Sequence, residues 1–210
     1  MHTQFLSPQY HALGRGKTDG EGMSTDPVVP LLFESAEKYD AKIAFHIEPY
    51  PGTILFTNIM YELELIHLFI GRNEKSLKED LKYLVDKYGA SNSFYRDTNN
   101  GNRPVIYLYD SYHTKPEDWA KILDPKSSET IRGTKYDTIV LGLYLNSKDK
   151  DSTKAAHFDG VYTYFAAEGF TEGSSSRVWG SLASWGRDTN KIISISIGPG
   201  YDDTRIRPCK

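Results

Sequence analysis

The stretches PVIYLYD (residues 104–110) and DTIVLGLYL (137–145), with PEDWAKIL (116–123) between them, decide the fold. Each strand is apolar at consecutive positions, so both faces are apolar. That is the signature of a parallel strand buried beneath helices rather than of a half-solvated antiparallel one. The intervening segment has helical composition, with Thr114 and Glu117 predicting a capping box at its start. Strand, helix and strand in this order read as a βαβ unit.

The same alternation extends outward in both directions. Upstream, a helix is expected over 28–40, its stripe formed by Val28, Leu31, Leu32, Ala36 and Tyr39, followed by the strand KIAFHIE (42–48). A second helix is expected over Ser76–Tyr88, with Leu77, Leu81, Leu84, Val85 and Tyr88 at helical spacing, a Ser76–Glu79 capping box and Gly89 as its stop. Downstream come the strand GVYTYF (160–165), a helix over 175–188 and the strand KIISISI (191–197). Residues 1–27, rich in Gly, Ser, Thr and Asp, read as a loop-rich arm.

Polar and aromatic residues gather at the C-terminal ends of these strands. In a (β/α)8 barrel that end carries the active site, and in an open doubly wound sheet it also binds ligands. The open sheet usually carries a glycine-rich phosphate loop after its first strand, and none follows residue 48. The expectation is therefore α/β, a partial (β/α)8 TIM barrel with about five βα units, because a closed barrel takes eight strands and about 250 residues.

Composition excludes several classes. A net charge of −3 gives no basic footprint for nucleic acid. One cysteine excludes an internal disulfide framework. No apolar run of about 18 or more residues predicts a membrane-crossing helix, and no signal-peptide pattern opens the sequence. No Gly-x-Ser-x-Gly elbow, phosphate loop or His/Cys metal spacing appears, so neither a cofactor nor a metal is expected. His2, His11, His67, His113 and His157 are scattered and read as surface or packing residues. The 15 tyrosines suit an aromatic concave site for a neutral, amphipathic ligand such as a sugar, although half-buried packing accounts for tyrosine as well.

Several strings are more specific: FHIEPY (45–50), FYR (94–96), YDSY (109–112), IRGT (131–134), FDGVYTYF (158–165), GSS (173–175) and GPGY (198–201) continuing to IRP (206–208). Together they resemble glycoside hydrolase family 99, the endo-α-1,2-mannosidases, over roughly residues 23–208. The resemblance implies a (β/α)8 barrel that cleaves α-1,2-mannosyl bonds in glucosylated high-mannose N-glycans. It implies retention of configuration through a 1,2-anhydrosugar, without metal. It also implies residence in the Golgi, with membrane association only through an N-terminal anchor that this sequence lacks. The family's two catalytic glutamates lie in an Asn-Glu-Trp-His-Glu segment downstream of Ile-Arg-Pro. That string is absent here, so no catalytic residue is assigned, and the pair is expected beyond Lys210.

By the same resemblance the substrate-binding candidates are His46, Glu48, Tyr50, Asp110, Tyr112, Tyr162, Tyr164, Tyr201 and Arg207. Strand alternation places His46 on the face of Glu48, and puts Tyr162 and Tyr164 on one face, where one of the two is expected to reach the sugar and the other to pack. The domain reading is an arm over 1–27 and an incomplete barrel over 28–210. Within the barrel, TILFTNIMYELELIHLFIG (53–71) interrupts the family pattern between Gly52 and Arg72. It reads as a non-family insertion: translated intron sequence or a gene-model error, or else a helical lid or membrane-resting element. Function accordingly divides between an endo-α-1,2-mannosidase-like hydrolase, represented by an incomplete chain, and an inactive or mannoside-binding fragment.

Overall fold

The structure, a computed structural model, describes residues 5–6, 9–10, 24, 26–50, 72–164 and 168–197. The segment 53–71 lies outside them. In chain order the elements are β1 (Phe5–Leu6), β2 (Gln9–Tyr10), α1 (Val29–Lys38), β3 (Lys42–Ile43), β4 (Phe45–Ile47), α2 (Glu74–Tyr88), β5 (Arg96–Asp97), β6 (Arg103–Leu108), α3 (Pro116–Leu123), β7 (Ile139–Tyr144), α4 (Asp149–Ala155), β8 (Gly160–Thr163), α5 (Ser176–Thr189) and β9 (Ile192–Ser194). The main sheet runs β2-β4-β6-β7-β8-β9, all neighbours parallel, with β5 antiparallel on the start of β6. The five strands expected from the sequence are all present. The stretch read as a loop-rich arm contributes two more short strands, β1 paired with β3 and β2 paired with β4. At two residues each, they offered no periodicity to read.

Helix starts differ from the expected capping boxes for physical reasons. At α2 the box sits one turn earlier. The Asn73 side chain accepts from the Ser76 N–H at 3.0 Å, and the Ser76 hydroxyl accepts from the Asn73 N–H at 2.9 Å. Ser76 is thus the reciprocal partner of the cap, not the cap itself. At α3 no side chain caps the helix. Pro116 at its start has no N–H to satisfy and holds Lys115 extended, so the Thr114–Glu117 box does not form. The α1 stripe is rotated from the expected one. Val29, Phe33 and Ala36 are buried, while Val28, Leu31 and Tyr39 face outward. Phe33 decides this rotation: its ring stacks on Tyr88 at 4.6 Å and meets Phe45 and Phe94. Helix α4 had no apolar stripe to betray it. It is built on Asp149, whose carboxylate accepts from the N–H groups of Leu145 and Asn146.

The two faces of the sheet pack differently. One face, with Phe45, Ile47, Ile106, Leu108 and Val140, lies under α1, α2 and α3 in a single apolar cluster. The C-terminal part of that face packs Tyr144 and Val161 on Leu182 of α5. The opposite face carries Val105, Ile139, Leu141, Leu143 and Tyr162, with Tyr107 and Tyr109 against them. Register builds this second face in rows. His46, Tyr107, Leu141, Gly160 and Ile192 align across the strands, and Leu143, Tyr162 and Ser194 form the next row. Gly160 is required in its row, because a Cβ there would stand 2.0 Å from the Ile192 carbonyl oxygen.

The N-terminal ends of the strands are tied by charge. Arg132 places one guanidinium nitrogen 3.0 Å from Asp137 and the other 2.7 Å from Asp159. Arg103 bridges the same two carboxylates at 3.1 and 3.0 Å. Asp159 also accepts the Val140 N–H, so the cluster fixes the starts of β6, β7 and β8 together. Burial alone would raise the Asp137 carboxyl. The Gly133 N–H, Arg132 and Arg103 outweigh it and hold the group below the usual carboxylate range. A carboxyl depressed in the folded state stabilises above its ordinary value near 4, and that contribution disappears as pH falls through the lower folded value. Arg132→Met should therefore cost about 3 kcal/mol at neutral pH and flatten the acid limb of stability. Urea unfolding from neutral pH down to acid pH checks both.

Candidate active site

Residues at the C-terminal ends of β4, β6 and β8 converge on the face opposite α1–α3. The Glu48 carboxylate lies 3.1 Å from His46 Nδ1, and His46 Nε2 lies 2.8 Å from the Tyr162 hydroxyl. The imidazole packs against the Tyr109 ring at 5.1 Å, and Tyr109 meets Tyr164 at 5.5 Å. Tyr107 closes the floor, its ring edge-on to Tyr162 at 5.2 Å. Tyr162 is buried at 4% exposure, whereas Tyr164, two residues on, is 41% exposed. Of this pair, one is packed and the other is open to solvent.

Asp110 ends the β6 wall in the left-handed region, with φ of 46°. That turn starts a short helical turn over Ser111–His113, which carries the half-exposed Tyr112 with its ring 4.5 Å from His113. His113, read from sequence as a surface or packing residue, lies 3.7 Å from the Asp110 carboxylate. Tyr50 takes a different path: it is buried, and its hydroxyl donates to Asp80 of α2 at 2.8 Å. Tyr201 and Arg207 lie outside the described residues.

The tyrosines are locked as phenols. Burial first, then Asp110, pushes Tyr109 up to about 12. Burial and a hydrogen bond with Asp110 push Tyr112 up to about 12 as well. Burial, with Glu48 next, holds Tyr162 well above the usual tyrosine value. These groups are therefore O–H donors at any physiological pH. Neutral phenols beside the carboxylates of Glu48 and Asp110 make a surface suited to a polyhydroxylated, uncharged ligand. Among the described residues no group of three or more His, Cys, Asp or Glu side chains could hold a metal ion.

Two members of this site were not singled out from sequence. Tyr109 shares the alternating set Val105, Tyr107, Tyr109, so the two-residue period would have found it. Arg72 gave no such signal. It is 1% exposed, and its guanidinium donates to the carbonyls of Ile47 at 3.0 Å, Tyr109 at 2.5 Å and Asp110 at 2.8 Å. It thereby joins the ends of β4 and β6, the two strands that carry Glu48 and Asp110. Burial lowers its pKa to about 10, and Tyr50, Asp110, Tyr162 and Glu48 partly restore it, so it remains a cation at neutral pH. Arg72→Met should cost at least about 3 kcal/mol, because three carbonyls lose charged donors. Arg72→Lys should recover less than half of that loss, since one ammonium cannot reproduce a planar fork. Chemical denaturation of the two variants checks the ranking.

The comparisons with known proteins agree with this geometry. The profile of glycosyl hydrolase family 99 matches residues 12–210. The sequence is 40% identical over 193 residues to a rat (Rattus norvegicus) glycoprotein endo-alpha-1,2-mannosidase, covering 91% of this chain and 38% of the relative. It is 36% identical over 195 residues to a human (Homo sapiens) glycoprotein endo-alpha-1,2-mannosidase-like protein, covering 92% of this chain and 38% of the relative. The fold matches a family 99 endo-alpha-mannosidase from Bacteroides thetaiotaomicron, solved in complex with BIS-TRIS-propane, with a TM-score of 0.79 and 35% identity. That match covers 98% of this chain and 55% of the bacterial one. The chain thus spans about two fifths of these curated relatives and about half of the solved enzyme. Its parallel sheet and covering helices are part of a (β/α)8 barrel, and the chain belongs to glycosyl hydrolase family 99.

Proposed function

We propose that these residues form one wall of the glycan site of an endo-α-1,2-mannosidase that trims glucosylated high-mannose N-glycans. The observation that carries this reading is that Glu48, Asp110 and the exposed Tyr164 gather about Tyr109 at the strand C-termini of a family 99 barrel, with Tyr112 beside Asp110. That is the end at which such barrels do chemistry. In this reading the carboxylate of Glu48 accepts a hydrogen from a sugar hydroxyl. Asp110 and Tyr112 do the same from the neighbouring loop, and the ring of Tyr164 covers a sugar's C–H face. Tyr201 and Arg207, outside the described residues, are proposed on family resemblance alone to contact the same glycan.

The proposed chemistry is hydrolysis with retention through a 1,2-anhydrosugar. One carboxylate removes the proton of the mannose 2-hydroxyl, whose oxygen then attacks the anomeric carbon. A second carboxyl protonates the departing glycosidic oxygen. Water then opens the epoxide: the second group, now a carboxylate, takes a proton from the attacking water, and the first returns its proton to the 2-oxygen. By family resemblance both carboxylates belong to an Asn-Glu-Trp-His-Glu segment, a string that these 210 residues do not contain. The wall binds and orients, and the acid and base come from elsewhere in the barrel. The compartment that fits this substrate is the Golgi lumen.

Titration calorimetry with a glucosyl-mannose oligosaccharide tests the wall, and a product assay tests the chemistry. The 210-residue chain should bind the oligosaccharide without turning it over. Glu48→Gln should weaken binding roughly tenfold, the worth of one hydrogen bond to a charged group. Tyr164→Ala should weaken it by about threefold to tenfold. Turnover by the chain alone would place the acid and base within it, and absence of any binding would overturn the wall.

A further inference from the structure

Both imidazole nitrogens of His46 are engaged inside the protein. Nδ1 is 3.1 Å from Glu48 Oε1 and Nε2 is 2.8 Å from the Tyr162 hydroxyl. A neutral imidazole has one N–H and one lone-pair nitrogen, whereas an ionised carboxylate only accepts. In the neutral ring the proton therefore sits on Nδ1, donated to Glu48, and Nε2 accepts from Tyr162. Tyr162 is equipped for that role, being buried between His46 and Tyr107 with its phenol proton retained. The His46 ring cannot rotate away without losing both bonds and its packing on Tyr109.

We propose that His46 and Tyr162 are positioning residues: Tyr162 sets the tautomer of His46, the Nδ1–H pins Oε1 of Glu48, and Oε2 is thereby oriented toward a ligand hydroxyl. Glu48 then meets a ligand O–H chiefly through Oε2, the oxygen that the Nδ1–H does not hold. This inference rests on the glycan reading above only for what donates that O–H; the relay itself is a property of the protein.

Nitrogen-15 NMR of the histidine-labelled 210-residue chain tests the relay without ligand. His46 should show the Nδ1–H tautomer. Glu48→Met and Tyr162→Phe should each shift it toward a mixture of tautomers. An Nε2–H tautomer in the parent chain, or indifference to both substitutions, overturns the assignment. Oligosaccharide affinity tests the consequence. His46→Ala should weaken binding about tenfold in the parent, the same hydrogen-bonded worth as Glu48, and by less than about twofold in a Glu48→Ala background. His46→Asn, which keeps a donor near the Nδ1 position, should retain most of the affinity if the effect runs through Glu48. Equal losses in both backgrounds would mean that His46 acts on its own, and would overturn the positioning role. If the parent chain binds no oligosaccharide, the glycan reading falls while the tautomer measurement still decides the relay.

Discussion

The site depends on one buried cation placed against three carbonyls. Strand ends are where backbone acceptors run out of ladder partners, and a buried carbonyl without a donor is costly. Arg72 supplies donors for Ile47, Tyr109 and Asp110 from a single planar group. The fork geometry fixes the distance between β4 and β6 at the level where their side chains turn toward the ligand face. Trp119 completes the seat, its ring 6.0 Å from the guanidinium and its indole N–H on the Ser111 carbonyl. Helix α3, which carries Trp119, is thus coupled to the loop that presents Asp110 and Tyr112.

The two ends of the sheet divide the work. At the N-terminal ends, four charges from Arg103, Arg132, Asp137 and Asp159 satisfy one another and the backbone. At the C-terminal ends, side chains are arranged so that some polar atoms remain open. The first arrangement is what a fold needs to hold its strands in register. The second is what a ligand needs. That opposition is the usual logic of βα barrels, and here each end is built from a different chemistry: arginine–carboxylate pairs below, phenols and a histidine above.

Much of this was legible in the residues. Strand positions followed from apolar runs such as IVLGLY in β7, because burial on both faces leaves no other composition. Glu48 and His46 are candidates through the family resemblance, and alternation puts them on one face. What escaped had identifiable causes. Phe33 rotated α1 because aromatic stacking outweighed the count of aliphatic positions. Helix α4 was invisible because its sequence, DKDSTKA, buries only Thr153. Arg72 was recognised only as a family junction residue, since nothing in a sequence distinguishes a guanidinium bound to carbonyls from a solvated one. The pairing of His46 with Tyr162, residues 116 apart in the chain, required the register of β4, β6, β7 and β8 to be known first.

Asp110 shows how such a site sets its own limits. Its left-handed backbone costs a residue with a Cβ about 1 kcal/mol, which glycine would not incur. Glycine there would relax the turn and stabilise the chain, yet it would delete the carboxylate that faces Tyr112 and His113. Stability and ligand chemistry therefore compete for a single position. A stability-driven redesign of this barrel would erode its binding surface first at the Asp110 turn.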